Sequence, residues 1–210
     1  SINLRARIEL AQNKYAAALG SLRQAAELGR HPLGRRGAAA FAAMGRFEEA
    51  EELLASNPSG VQEGTNSLED FERIAIALDQ GQLDEAETIA SRAVDETANS
   101  GALVNYPFRI IELMIRGLQR PDKVSSSELE ILAREIASDA RSPGNPDRDD
   151  LLAMALAAVR LSQRLGHAEA GDDILPALGP EVQASGNPAA MKLLALAHAE
   201  QLRLAGKPAD

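Results

Sequence analysis

"MGRFEEAEELL" (Met44–Leu54) and "QGQLDEAETIA" (Gln80–Ala90) write one pattern twice, thirty-six residues apart. Each has a glycine (Gly45, Gly81), the residue type that tolerates the left-handed conformation of a helix stop. An apolar residue follows two positions later (Phe47, Leu83), then an acidic pair (Glu48-Glu49, Asp84-Glu85). The acids fall in the first turn of a new helix, where the helix dipole favours them. Next comes a small residue, Ala50 or Ala86, with Leu54 or Ala90 one turn on and on the same face. A side chain as small as Ala lets helix axes approach at the short end of the ~8–10 Å range. The stretch therefore predicts a helix, a tight corner and a second helix, used more than once.

A further copy lies upstream in "QNKYAAALGSLRQA", with Asn13 in the glycine slot, Tyr15, Ala18 and Leu22. Asn is second choice for the left-handed position. A fainter one is Gly166, Ala168, Gly171 and Leu175, and Gly206 opens another. Two "GNP" starts, at 144–146 and 186–188, place Asn145 and Asn187 as N-caps with Pro at the first helical position. They predict helices over 146–165 and 188–205. A helix is expected from Pro107 to Gln119, and another to Ala140 after overlapping capping boxes Ser125/Glu128 and Ser127/Glu130. Its apolar set, Leu129, Leu132, Ala133, Ile136 and Ala137, keeps one-face helical spacing. The sum is eleven helices, no strand, and no loop long enough to mark a domain boundary, so 1–210 reads as a single all-α domain.

Composition agrees. Of 210 residues 45% are hydrophobic but only 3% aromatic, with Ala and Leu dominant, which suits helix packing more than a sandwich or barrel. The net charge of −9 works against binding nucleic acid. Charge is uneven: residues 1–45 hold seven Lys/Arg against two Asp/Glu, and residues 46–210 hold fifteen against twenty-nine. That asymmetry fits either ordinary surface variation or an acidic partner on the N-terminal end. With no Cys, disulfides and thiolate metal sites are excluded, though the compartment is not fixed; cytoplasmic is favoured over periplasmic. No apolar run approaches the ~20 residues of a membrane span, so direct membrane insertion is not expected.

Gly45–Phe47–Ala50 and Gly81–Leu83–Ala86, and less closely Asn13–Tyr15–Ala18, together with Ala38, Phe41 and Pro58, resemble the tetratricopeptide repeat. The resemblance covers roughly the first hundred residues; from Asn105 onward it is one of architecture. The large aromatic usual early in the first helix is missing, with Gly34 and Asp70 in its slots. What the resemblance implies is a right-handed superhelix (solenoid) of five to six antiparallel helix pairs whose first helices line a concave groove. Here the groove positions are Arg35, Ala39, Ala42 and Ala43, then Phe71, Ala75, Leu78 and Asp79. Elementary packing leads to a similar place, since a short helix pair cannot bury its apolar face alone and stacked pairs present an extended surface. The chaperone-binding subfamily is disfavoured, because Ala39 and Ala75 stand where its carboxylate clamp has Asn.

Candidate chemistry is sparse. His31, His167 and His198 lack metal-ligand spacing. The acids of Asp147–Asp150 and Gly171–Asp173 sit at helix starts, where capping explains them. No nucleophile, phosphate-loop or dinucleotide fingerprint occurs, so neither an enzyme nor a cofactor is expected. The cluster Arg30, His31, Arg35, Arg36 and Arg46 reads either as helix-end charge or as a patch for an anionic partner. The favoured reading is a protein-interaction scaffold, bacterial in composition, that takes a peptide or partner helix. The other is a regulatory domain of a signalling or transcription protein that binds a small effector. The sequence also reads as a piece of a longer protein, since "KPAD" after Gly206 begins a helix and breaks off. Leu193, Leu194, Leu196, Leu202 and Leu204 are then expected to be partly uncovered, giving a homo-oligomer through the last helix.

Overall fold

Identical corners at Asn13, Gly45 and Gly81 set the architecture of this computed structural model. All three residues have positive φ, at 58°, 72° and 73°. At each, the corner N–H donates to the carbonyl three residues back: Leu10, Ala42 and Leu78, at 3.0, 2.8 and 3.0 Å. The next N–H donates to the carbonyl five residues before it, on Glu9, Phe41 and Ala77, at 2.8, 2.9 and 2.8 Å. This paired arrangement is the Schellman helix stop, which satisfies carbonyls that the helix end would leave orphaned. A new helix then starts at once, with the N–H of Ala18, Ala50 or Ala86 donating to Lys14, Arg46 or Gln82. All three alanines are fully buried. Gly166 repeats the same stop, through Gly166 N–H to Gln163 and His167 N–H to Ser162.

The structure describes residues 2–28, 34–56, 67–120, 124–167, 169 and 171–206, with the side chains of 2, 3, 67, 68 and 126 excepted. Among the described residues the fold is all-α, without a strand. The helices are α1 (Ile2–Ala11), α2 (Tyr15–Glu27), α3 (Gly34–Ala42), α4 (Phe47–Ser56), α5 (Ser67–Asp79), α6 (Leu83–Thr97), α7 (Ala102–Gln119), α8 (Ser126–Ala140), α9 (Arg148–Arg164), α10 (Ile174–Ser185) and α11 (Pro188–Leu204). The chain divides into two compact units, Ser1–Ile89 and Ala90–Asp210. That division falls inside α6 rather than at a linker.

In the first unit α1 packs on α2, α2 on α3, and α3 on both α4 and α5. Leu19, Ala38, Phe41, Ala50, Leu54 and Ile76 form its core. A buried polar tie fastens α1 to α2: Ser21 Oγ donates to Glu9 Oε2 at 2.7 Å, while Arg5 Nε donates to Glu9 Oε1 at 2.8 Å. In the second unit α9 is the hub, packed against α7, α8, α10 and α11. Its Leu151, Leu152, Ala155, Leu156 and Val159 are all at most 2% exposed. The one-face set of α8 is likewise buried.

Several boundaries depart from the sequence reading. Helix α7 begins at Ala102 and carries Pro107 inside it. Proline so near a helix start forfeits one bond, to the carbonyl of Leu103, and the chain before it was already helical. Asn145 does not cap α9; its Oδ1 accepts from Asp147 N–H at 2.9 Å and its Nδ2 donates to the Asp139 carbonyl at 2.8 Å. It therefore builds the turn, and α9 starts two residues beyond Pro146. Of the two capping boxes only Ser125/Glu128 forms, because Ser127 already lies within α8. Asn187 does cap α11, accepting from Ala189 and Ala190 N–H. The repeat at Gly166 breaks after its corner: α10 waits until Ile174, and Ala168 lies outside the described residues. Gly171 intervenes with φ 103°, and a Cβ there would sit 2.8 Å from Val159 Cγ1, so the chain passes too close to α9 for any other residue.

Candidate functional site

Of the eight expected groove positions, Arg35, Ala39 and Ala42 lie on α3, Ala43 just past its end, and Phe71, Ala75, Leu78 and Asp79 on α5. Helices α3 and α5 pack directly on each other. None of the eight is fully buried: Ala43, Ala75 and Asp79 are exposed and the rest half-buried. Ala42 also leans on the core of this unit. Between the rows, Arg35 Nε lies 4.0 Å from Glu72 Oε1. Burial pushes the Glu72 carboxyl above its ordinary value, with Arg35 pulling the other way.

Two of the three described members of the basic cluster, Arg46 and Arg35, face carboxylates. Arg46 forks onto Glu49, with Nε donating to Oε2 at 2.6 Å and Nη2 to Oε1, and its guanidinium covers the Phe41 ring at 4.7 Å. The fork holds Glu49 below the usual carboxylate range. Arg35 faces Glu72, and Arg36 remains exposed. Arg30 and His31 lie outside the described residues.

Sequence reasoning did not anticipate an open cleft of ≈ 450 Å³ beside the Gly45 corner, lined by Gly45, Arg46, Phe47, Glu48, Glu49, Glu51 and Gln80. Gln80 Nε2 donates to Glu51 Oε1 at 3.3 Å across it. The signal was present, since the repeated corners bring the ends of α3 and α5 to one edge. Elsewhere His167 Nε2 lies 3.2 Å from the Val124 carbonyl, a tie between loops. Asp173 meets Arg134 at 3.4 Å. Asp149 and Asp150 occupy the first turn of α9, where the helix dipole favours them. Among the described residues no group of three or more His, Asp or Glu is placed to hold a metal, and no helix is long and apolar enough to cross a membrane.

On α11, Met191, Leu196 and Leu202 are 46%, 39% and 39% exposed, whereas Leu194 is buried. Compared with family models, with curated proteins and with solved structures, the chain gives no match.

Proposed function

We propose that the chain is a tetratricopeptide-like protein-interaction scaffold that takes a peptide or partner helix along the α3–α5 face. The observation that carries this is the identity of the corners at Asn13, Gly45 and Gly81. Equivalent corners set successive helix pairs in one register, and such pairs stack into an extended right-handed array with a binding face. On that face the half-exposed Ala39, Ala42, Phe71 and Leu78 supply apolar surface, while Arg35 and Asp79 supply polar ends. Peptides selected from a random library against the intact chain test it. Ala75→Glu or Ala43→Arg, both at exposed positions, should cut binding by about tenfold or more, the effect of losing roughly 1.4 kcal/mol. Binders indifferent to both substitutions would remove the groove.

The cleft at Gly45 favours a second reading, a regulatory domain that holds a small effector, because convergent polar groups in a concavity are what such ligands need. Its open, charged lining suits a polar molecule, and Ala75→Glu, outside that lining, would leave such binding intact. The apolar surface of α11 supports self-association of the chain. Light scattering over a concentration series checks this, and a monomeric mass at every concentration excludes it.

A further inference from the structure

The expected groove positions lie on α3 and α5, yet α1 repeats the burial of both when the three helices are aligned on their corners. All three belong to the first unit. Seven residues before Asn13, Gly45 and Gly81 stand Ala6, Ala38 and Ile74, exposed by 0%, 0% and 2%. Four before them stand Glu9, Phe41 and Ala77, all buried. Three before, Leu10, Ala42 and Leu78 are half-buried; two before, Ala11, Ala43 and Asp79 are exposed. Leu10 and Ala42 also lean on the same core. The face that carries the groove positions on α3 and α5 thus has its counterpart on α1, where Arg7 answers to Ala39 and Ala75. Ile8, 47% exposed, departs from its buried counterparts Ala40 and Ile76. Standing three residues before Ala11, it adds apolar surface to the same side of α1.

Charge changes sign from one end of this row to the other. Arg7 is exposed and makes no ion pair among the described residues, and the same is true of Asp79. Between them Arg35 is set against Glu72, and the other described positions are apolar. Neither end charge is explained by its own helix. Arg7 lies in the middle of α1, and Asp79 is the last residue of α5, where the helix dipole disfavours an acid.

We propose that the partner face extends over α1, α3 and α5, and that Arg7 and Asp79 select what it takes: a helix with Asp or Glu near its end over α1, Lys or Arg near its end over α5, and apolar residues between. This rests on the groove proposed above and names the chemistry of its partner. The Arg7 guanidinium can fork onto a carboxylate through paired charge-assisted hydrogen bonds. Acids in the first turn and bases in the last are also what a helix itself favours, so the partner lies with its N-terminus over α1. Charges at the ends of an interface fix register and reject wrong partners, because like charges brought together are costly.

End-blocked peptides of about fifteen residues, roughly four helical turns, selected from a random library against the intact chain test it. Binders should carry Asp or Glu near one end and Lys or Arg near the other. Arg7→Glu should weaken them by about tenfold or more, and exchanging the peptide's acid for Lys should restore the loss. Asp79→Lys should act in the same way at the other end. Both positions are exposed, so an unchanged Tm shows that the variants remain folded. Arg23→Glu makes the same change in net charge at an exposed position of α2, away from the row, and should cost less than about twofold, since salt screens distant surface charges. An equal loss from Arg23→Glu would show a general field and overturn the proposal. Binders that lose affinity with Ala75→Glu but not with Arg7→Glu or Asp79→Lys would keep the groove and overturn its charged ends. Binders indifferent to Ala75→Glu as well would remove the groove and this inference together.

Discussion

Leu156→Ala should lower stability by about 2–5 kcal/mol, the range for deleting a buried leucine side chain. Leu156 is fully buried on α9, the helix that contacts α7, α8, α10 and α11. It belongs to a core cluster that also holds Leu129 and Leu132 on α8, Leu175 and Leu178 on α10, and Leu194 on α11. A cavity at a hub held from four sides cannot collapse onto one neighbour without drawing that neighbour away from another, which places the cost high in the range. At roughly 4 °C or more per kcal/mol for a unit of about 100 residues, thermal melting should fall by roughly 10 °C or more. Leu118→Ala is the control: Leu118 is 60% exposed on α7 and should change stability by no more than about 0.5 kcal/mol. Equal losses for the two would show that α9 is not the centre of its unit.

What the sequence disclosed follows the strength of its local signals. A helix stop needs a residue that tolerates positive φ, so Asn13, Gly45, Gly81 and Gly166 were legible as corners before any coordinate. So were the buried alanines that follow the first three of them, Ala18, Ala50 and Ala86. Proline misled twice, in opposite directions. Pro107 suggested a helix start but lies inside α7, because the missing N–H removes a single bond there. Pro146 suggested a start too early, because Asn145 spends its side chain on the preceding turn. The late start of α10 was invisible, since the close approach of Gly171 to Val159 is a tertiary event.

The candidate sites divide the same way. The expected groove positions on α3 and α5 come from the sequence alone, because they repeat at the period of the corners. The neutralisation of Arg46 by Glu49 was within reach as an i,i+3 pair.

Ala86→Leu should cost on the order of 1–3 kcal/mol, the penalty for forcing extra methylenes into a packed contact. The argument rests on equivalence. Ala18, Ala50 and Ala86 each follow their corner by five residues, each donates its N–H to the residue four before it, and each is fully buried. Ala50 lies within the first unit's core beside Leu54 and Phe41, so Ala50→Leu should fall in the same range. Two comparisons isolate the cause. Ala55→Leu puts the same side chain on an exposed position of α4 and should change stability by no more than about 0.5 kcal/mol. Gly81→Ala adds a methyl where nothing lies within 4 Å, so its loss, roughly 1 kcal/mol, comes from the backbone φ of 73° alone. If melting shows Ala86→Leu as harmless as Ala55→Leu, close helix approach at the small position is wrong. The corners would then repeat as turns without repeating as packing, and the stacked array that supports the groove would lose its basis.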